Sequence, residues 1–371
     1  MNFDLNEDEE LLKALAERFV ADRYDIERRR GYLAETDGFS ARNWSLLGEL
    51  GLLAAPFDEN HGGLGLDQTG IATVFEALGR GLVVEPLIEN VVLAGRLFAA
   101  TAPAALRDAW LPGLLDGSRR IALAHAESNA RGGRLWVECS AEADGDQMRL
   151  TGAKPYVVAG SGADGYIVSA RRSGEAGDAG GVGLYFVLAG SDGLSQEPWR
   201  LADGSRAVSL RLDGVTVPAD RQLTGGVAAL STAETLASLA RSAEAIGIMA
   251  RMFAETLDYL RTREQFGAKL ASFQAIQHRM VAQYAVIEQG RALLNLALVS
   301  RSDAEFAQAV DGARAFIAPA SIELGHEMIQ FHGGMGVSDE LAIGHGHKRL
   351  LVLSRWPEAP EATLDRFAAV G

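Results

Sequence analysis

Arg263, Phe266 and Gln274 lie in one short run, Arg263-Glu-Gln-Phe266-Gly267-Ala-Lys-Leu-Ala-Ser-Phe273-Gln274, that joins a helix end to a second helix. A guanidinium can pair two phosphate oxygens, and a carboxamide both donates to and accepts from an adenine or ribose edge. Gly267 lets the chain turn sharply between the helices. A second run, Gln330-Phe-His332-Gly333-Gly334-Met-Gly336, sets another carboxamide beside small residues that expose main-chain amides and admit a ligand closely. The chemistry available is recognition of an anionic dinucleotide. Each residue also has an ordinary structural reading: a solvated arginine, a helix-end glutamine, a turn glycine, and the glycine that a helix C-terminus needs in any case.

Other chemistries fit less well. Gly160-Ser-Gly162-Ala-Asp-Gly165 has the glycine spacing of a dinucleotide fingerprint and follows a strand. A helix must then start at the third glycine, whereas Tyr166-Ile-Val-Ser169 reads as another strand, so a hairpin or loop is expected. His345-Gly-His347 has no third ligand at an obvious spacing, and Lys348-Arg349 would repel a cation; surface or interface histidines are expected and no metal. No nucleophile elbow occurs, and Cys139 falls in a predicted strand without a visible base.

The elements that must position these residues divide the chain. Its 371 residues suit two or three domains, and a hydrophobic fraction of 48% opposes disorder. Residues 1–118 read as a helical domain: Asn6 and Glu9 stand in capping-box relation, Leu11, Leu12, Leu15 and Phe19 follow on one face, and further helical stretches cover Leu46–Leu52, Thr69–Leu78 and Leu87–Phe98. Residues 119–225 read as a β domain, with strands at Leu135–Val137, Met148–Leu150, Tyr156–Val158, Tyr166–Val168, Leu184–Leu188 and Val208–Leu212. Asp144-Gly145 and Asp213-Gly214 are expected as turns, and Ser173–Gly181 as a flexible loop. Residues 226–371 return to helical texture, with breaks near Gly267, Arg301-Ser-Asp303 and Gly333-Gly334. The chain is therefore mainly α with a central β domain, without the alternation of a doubly wound sheet.

The net charge of −14 disfavours nucleic acid as a general partner, while small anions need only local arginines and helix ends. A single cysteine, an acidic N-terminus and the lack of an apolar run of about 20 residues predict a cytoplasmic protein outside the membrane.

The two runs, in this order and spacing, resemble the signature pair of the acyl-CoA dehydrogenase family, and Pro56 with Gly62-Gly63-Leu-Gly65 extends the resemblance toward the N-terminus. It implies an N-terminal helical domain, a middle β domain (barrel or sandwich) and a C-terminal four-helix bundle, with FAD as cofactor. It also implies an acyl-CoA substrate, an electron-transfer acceptor, and a homo- or hetero-oligomer, dimer or tetramer, whose subunits share flavin sites. By the same resemblance Arg263, Phe266, Gln274, Gln330, Gly333 and Gly334 reach the ADP half of a flavin held by a neighbouring subunit. The ending Gly344-His-Gly-His-Lys348-Arg349-Leu-Leu351 is similar to small or β-type subunits of bacterial enzymes that desaturate dicarboxyl- or bulky-chain acyl-CoAs.

The departures concern the reacting end. Where the family shows Thr-Glu-Pro this chain has Ala126-Glu127-Ser128, and Lys154-Pro155-Tyr156-Val157-Val158 replaces a lysine–tryptophan run that ends in threonine. Main-chain amides are expected to stand in for the lost hydroxyls. The family's base is a carboxylate, yet its two usual positions fall on Pro357 and on Ala237-Ser238. Glu358 is one residue away but sits in a turn, and Glu244 is expected to pair with Arg241. The catalytic base is left unassigned. The expected activity is α,β-dehydrogenation of an acyl-CoA, by this chain or as the partly degenerate subunit of a heteromer; the rival is a non-catalytic scaffold binding acyl-CoA or FAD.

Overall fold

The computed structural model describes residues 5–130 and 135–369. They form two compact units, one of residues up to Gly31, Gln68–Val83 and Ser238 onward, the other of Tyr32–Asp67 and Val84–Ala237. Among the described residues no helix is long and apolar enough to cross a membrane.

The first unit is helical. Its elements are α1 (Glu7–Arg23), the start of α2 (Ile26–Ala34), α4 (Gln68–Gly81), most of α7 (Gly226–Thr262), α8 (Gln274–Leu298), α9 (Asp303–His332), α10 (Ala342–Arg355) and α11 (Pro360–Ala369). α1 opens with the expected capping box: Glu9 N–H donates to Asn6 Oδ1 and Asn6 N–H to Glu9 Oε2. Its buried stripe is Leu12, Ala16 and Phe19, whereas Leu11 faces water, one position off the expected face. α9 is the hub against which α8, α10 and α11 pack.

α4 and α7 meet backbone to backbone. A Cβ at Gly79 would stand 2.3 Å from the Glu244 carbonyl oxygen, and one at Gly247 2.1 Å from that of Glu76. Each helix thus presents a glycine to the other's main chain, and nothing larger fits. The same two glutamates send their carboxylates outward: Glu76 takes Arg80 and Arg291 of α8, and Glu244 takes Arg349 of α10. Similarly, Gly290 of α8 leaves room for Ile246 and Ile317.

The second unit carries α3 (Ala41–Glu49), a π-helical segment (Leu87–Gly95), α5 (Arg96–Thr101), α6 (Ala104–Asp116) and the strands. These are β1 (Ile121–Ala124), β2 (Ser140–Asp144), β3 (Gln147–Val158), β4 (Gly165–Arg171), β5 (Val182–Leu188), β6 (Leu194–Arg200), β7 (Arg206–Val217) and β8 (Gln222–Leu223). They form one sheet in the order β6-β7-β3-β2-β4-β5-β8, with β1 parallel to β4 on the edge that β2 also touches. β6 and β8 end the ladder unpaired with each other, so the sheet is open rather than a closed barrel. Leu150, Val157, Tyr166, Val168, Tyr185 and Leu210 fill its interior.

Several local expectations change. Met148–Leu150 and Tyr156–Val158 belong to one long strand, β3, whose pairing to β7 slips near Gly152 and again between Lys154 and Val157. Asp213-Gly214 lies inside β7 rather than in a turn, with Gly214 at φ +68°. Leu135–Val137 is not a strand; Val137 N–H reaches the Ala176 carbonyl instead. The loop after β4 is wrapped around Arg171, whose guanidinium donates to the carbonyls of Val137, Ser173, Ala176, Asp178 and Gly180. That buried arginine holds the expected flexible segment in place. Gly160–Asp164 is a loop from β3 to β4, strands that do not pair with each other, and no helix follows it.

Arg29 donates to His345 Nδ1 at 2.9 Å, so the ring proton sits on Nε2, which donates to the Asp339 carbonyl at 3.1 Å. Burial, with Arg29 as a further cause, holds the His345 imidazole below its ordinary 6.5. The unfolded chain therefore binds this proton more readily, and the contribution of His345 is complete above about pH 6.5 and lost as pH falls below it. His345→Gln should flatten the fall in melting temperature between about pH 7 and 5, measured by circular dichroism. Gly247→Val should cost about 3 kcal/mol or more in denaturant unfolding, because the Cβ meets main chain that cannot give way.

Candidate functional site

The first candidate run sits at the C-terminal end of α7. Arg263 N–H donates to the Tyr259 carbonyl at 2.8 Å, extending the last turn by one bond. A two-stranded hairpin follows, β9 (Glu264–Gln265) against β10 (Ala268–Lys269), with Phe266 and Gly267 as its loop at φ +56° and +79°. Two left-handed residues make the turn whose twist suits a hairpin, a place that favours Asn-Gly. Phenylalanine there is strained, and its ring is 89% exposed with only an edge contact to Phe273, 6.4 Å between centroids. The Leu270 N–H to Arg263 carbonyl bond closes the hairpin, and Gln274 opens α8.

The second run ends α9. Gln330 is exposed, and Gly333 takes φ +60°, ψ −139°, a region essentially reserved for glycine. Nothing lies within 4 Å of where a Cβ would stand at Gly267, Gly333 or Gly334. Two contacts bring the runs into one region of the helical unit. The rings of Tyr259 on α7 and His332 on α9 stack at 4.4 Å and 22°. Arg279 on α8 forms a bidentate pair with Glu327 on α9, 2.7 and 2.8 Å, and covers the Phe331 ring. The ends of α7, α8 and α9 are thereby tied together, and with them Arg263, Phe266, Gln274, Gln330, Gly333 and Gly334.

Charge distinguishes Arg263 from its neighbours. Arg261 pairs with Asp258 and Arg279 with Glu327, while among the described residues no carboxylate lies within ion-pair reach of Arg263. An unclaimed guanidinium beside open glycine turns and a projecting aromatic ring fits the adenosine diphosphate end of FAD.

The segments that depart from the family pattern lie in the second unit. Lys154, fully buried, donates to Glu127 Oε1 at 2.5 Å, Ser169 Oγ at 3.0 Å and the His125 carbonyl at 3.2 Å. Glu127 in turn accepts the main-chain N–H groups of Glu138 and Cys139. Burial pulls the Lys154 ammonium down from its ordinary range against its charged partners, and pushes the Cys139 thiol up to about 11, which leaves that sulfur inert. This network was legible only as a lysine in the apolar phase of β3, four residues after buried Leu150. Tyr156 is exposed, with its ring edge-on to Trp199; the buried Trp199 indole N–H finds no acceptor among the described residues. Val158 turns inward.

Neither acidic candidate is available as a base. Glu358 is 2% exposed, and its carboxylate is clasped by both terminal nitrogens of Arg366 and by the Thr363 hydroxyl. Against the lowering effect of burial, Glu358 and Asp311 hold the Arg366 guanidinium above its ordinary range. Arg314 pins the adjoining main chain through the Leu353, Trp356 and Glu358 carbonyls. The turn expected around Glu358 is thus a buried lock. Glu244 also differs from expectation: its two oxygens are taken at 2.7 and 2.9 Å by Arg349, which lies far along the chain on α10. Among the described residues no group of three or more His, Cys, Asp or Glu side chains is arranged for a metal. His345 is engaged by Arg29, and His347 packs on His326.

Residues 6–118 match the model of the acyl-CoA dehydrogenase N-terminal domain, and residues 225–357 that of the C-terminal domain. A solved variant of the steroid ACAD Tcur3481–Tcur3483 is 30% identical, covers 98% of this chain and 97% of its own, and superposes with a TM-score of 0.88. The chain belongs to the acyl-CoA dehydrogenase family. Its members are FAD-dependent oxidoreductases acting on CH–CH bonds. Acyl-CoA dehydrogenase FadE27 of Mycobacterium tuberculosis is 29% identical over 81% of this chain and 80% of its own length. The ChsE4–ChsE5 complex from Mycobacterium tuberculosis contains a chain 26% identical, with a TM-score of 0.85 over 100% of this chain and 98% of that one. The acyl-CoA dehydrogenase fold, a helical N-terminal part, a middle sheet and a C-terminal helical part, is thus the fold seen here.

Because Glu358 is held as one half of an ion pair, Glu358→Gln should act on stability. We expect about 1–3 kcal/mol lost in urea unfolding. Flavin content per folded chain should stay at the wild-type level.

Proposed function

We propose that this chain is the nucleotide-holding subunit of a heteromeric acyl-CoA dehydrogenase that desaturates a bulky, steroid-like acyl-CoA in the cytoplasm. Arg263 would bind the diphosphate of FAD, Gln274 and Gln330 its adenosine side, Phe266 would lie against it, and Gly333 and Gly334 would let it approach the main chain. FAD supplies the hydride acceptor for the substrate's Cβ–H bond. The reactive ring and the carboxylate that removes the α-proton belong in this reading to a second chain, which passes electrons onward to an electron-transfer acceptor. A division at 118 and 225 fits it, with the strands between those limits.

The observation that carries the proposal is the fate of the acids. Glu358, one residue past the first of the family's two base positions, and Glu244, six residues past the second, are each closed off by an arginine in a buried setting. A general base must reach the proton it removes and be free to take it. The loss of both hydroxyls, at Ala126 and Val158, points the same way, since a β domain that no longer holds the reacting ring has no use for them. Solved relatives named as two-chain assemblies support the heteromeric form.

Flavin stoichiometry tests it. The chain should purify with little FAD alone, and with one FAD per pair of chains when co-expressed with a base-bearing acyl-CoA dehydrogenase chain from the same genome. Arg263→Ala in that assembly should lower FAD affinity at least tenfold, about 1.4 kcal/mol. Full FAD occupancy of the isolated chain with bleaching by acyl-CoA would refute the heteromeric form.

A further inference from the structure

Two residues outside the proposed contact set join the nucleotide-facing turns. Tyr259 lies one turn before Arg263 and accepts that residue's N–H through its carbonyl. His332 is the last residue of α9, directly before Gly333 and two after Gln330. Their rings are nearly parallel at 4.4 Å, close enough for each to fix the height of the other's helix end.

His332 is locked before it meets Tyr259. Its Nδ1 stands 2.9 Å from the Met328 carbonyl, and a carbonyl only accepts, so Nδ1 carries a proton and the ring plane is set by α9 itself. The residue is buried, whereas Tyr259 is only half-buried. Arg279 and Glu327 tie α8 to α9 by a separate contact, while the two rings join the ends of α7 and α9 directly beside the two turns.

We infer that the Tyr259–His332 stack is a positioning pair that sets the separation between the Arg263 turn and the Gln330–Gly334 turn, and so the fit of the ADP half of FAD. The inference rests on the proposed nucleotide role of those turns. A diphosphate bound from one side and an adenosine from the other tolerate little change in their spacing, because each hydrogen bond weakens steeply off its geometry.

The test uses the full chain in the assembly that takes up FAD, with FAD and ADP as titrants. Tyr259→Ala should raise the dissociation constants of both about tenfold through the altered spacing of the turns, while the melting temperature of the ligand-free protein falls only slightly. Tyr259→Phe keeps the ring and should restore affinity to within about twofold. His332→Gln keeps a side-chain donor for Met328 but has no ring. It should match Tyr259→Ala, and it decides the matter if the alanine variant does not fold. Wild-type affinity in Tyr259→Ala or His332→Gln, or failure of Tyr259→Phe to restore binding, would overturn the stack's role alone. A wild-type assembly that takes up neither FAD nor ADP would overturn the nucleotide-holding function and this inference with it.

Discussion

The helical unit is organised by the contact of α4 and α7 through paired glycines. Because carbonyl oxygens of each helix occupy the space a side chain would need on the other, neither helix can slide or rotate without a clash. The glutamates whose carbonyls make the contact then direct their carboxylates to α8 and α10, so one crossing aligns four helices. α7 leaves this junction rigid, and its far end carries Tyr259 and Arg263. A segment drawn from early in the chain thereby governs where Arg263, in its C-terminal third, comes to rest.

Charge is used in two opposite ways. Glu244, Glu358 and Glu127 are buried with basic partners, an arrangement in which removing one member leaves an uncompensated charge in a low-dielectric setting. Such acids hold structure and are poor candidates for proton transfer. Arg263 is the converse, a cation left without a carboxylate partner among the described residues of a chain of net charge −14. Its availability says more about ligand binding than the overall charge does. The long-range field repels anions, while one guanidinium at a helix end attracts them locally.

What could be read from the residues was mostly local. The breaks at Gly267, near Ser302 and at Gly333, the capping box at Asn6, and the left-handed glycine that stops α6 after Asp116 are each signalled within a few residues. The candidate site belongs to this class, since its residues cluster at helix ends that punctuate the chain. Features set by distant partners were hidden. β6 is an exposed edge strand containing Pro198, without the alternation that marks a half-buried strand. Arg171 organises its loop from inside, and nothing in Ser173–Gly181 announces it. Glu244 finds Arg349 rather than the nearer arginine because the meeting of α7 and α10 is decided by packing at Gly346, against Met252 and Ile248. Tyr259 and His332 are unremarked in sequence for the same reason.

Phe266 draws these threads outward. A side chain with a branching Cβ-attached ring, placed where glycine or asparagine would sit at ease and turned almost wholly to solvent, is a poor choice for an isolated polypeptide. A polar or smaller residue there would relax the hairpin and improve solubility at once. An apolar ring held out at the hairpin tip, at the cost of strain in the turn that carries it, gives any surface brought against it from outside this fold a ready apolar contact.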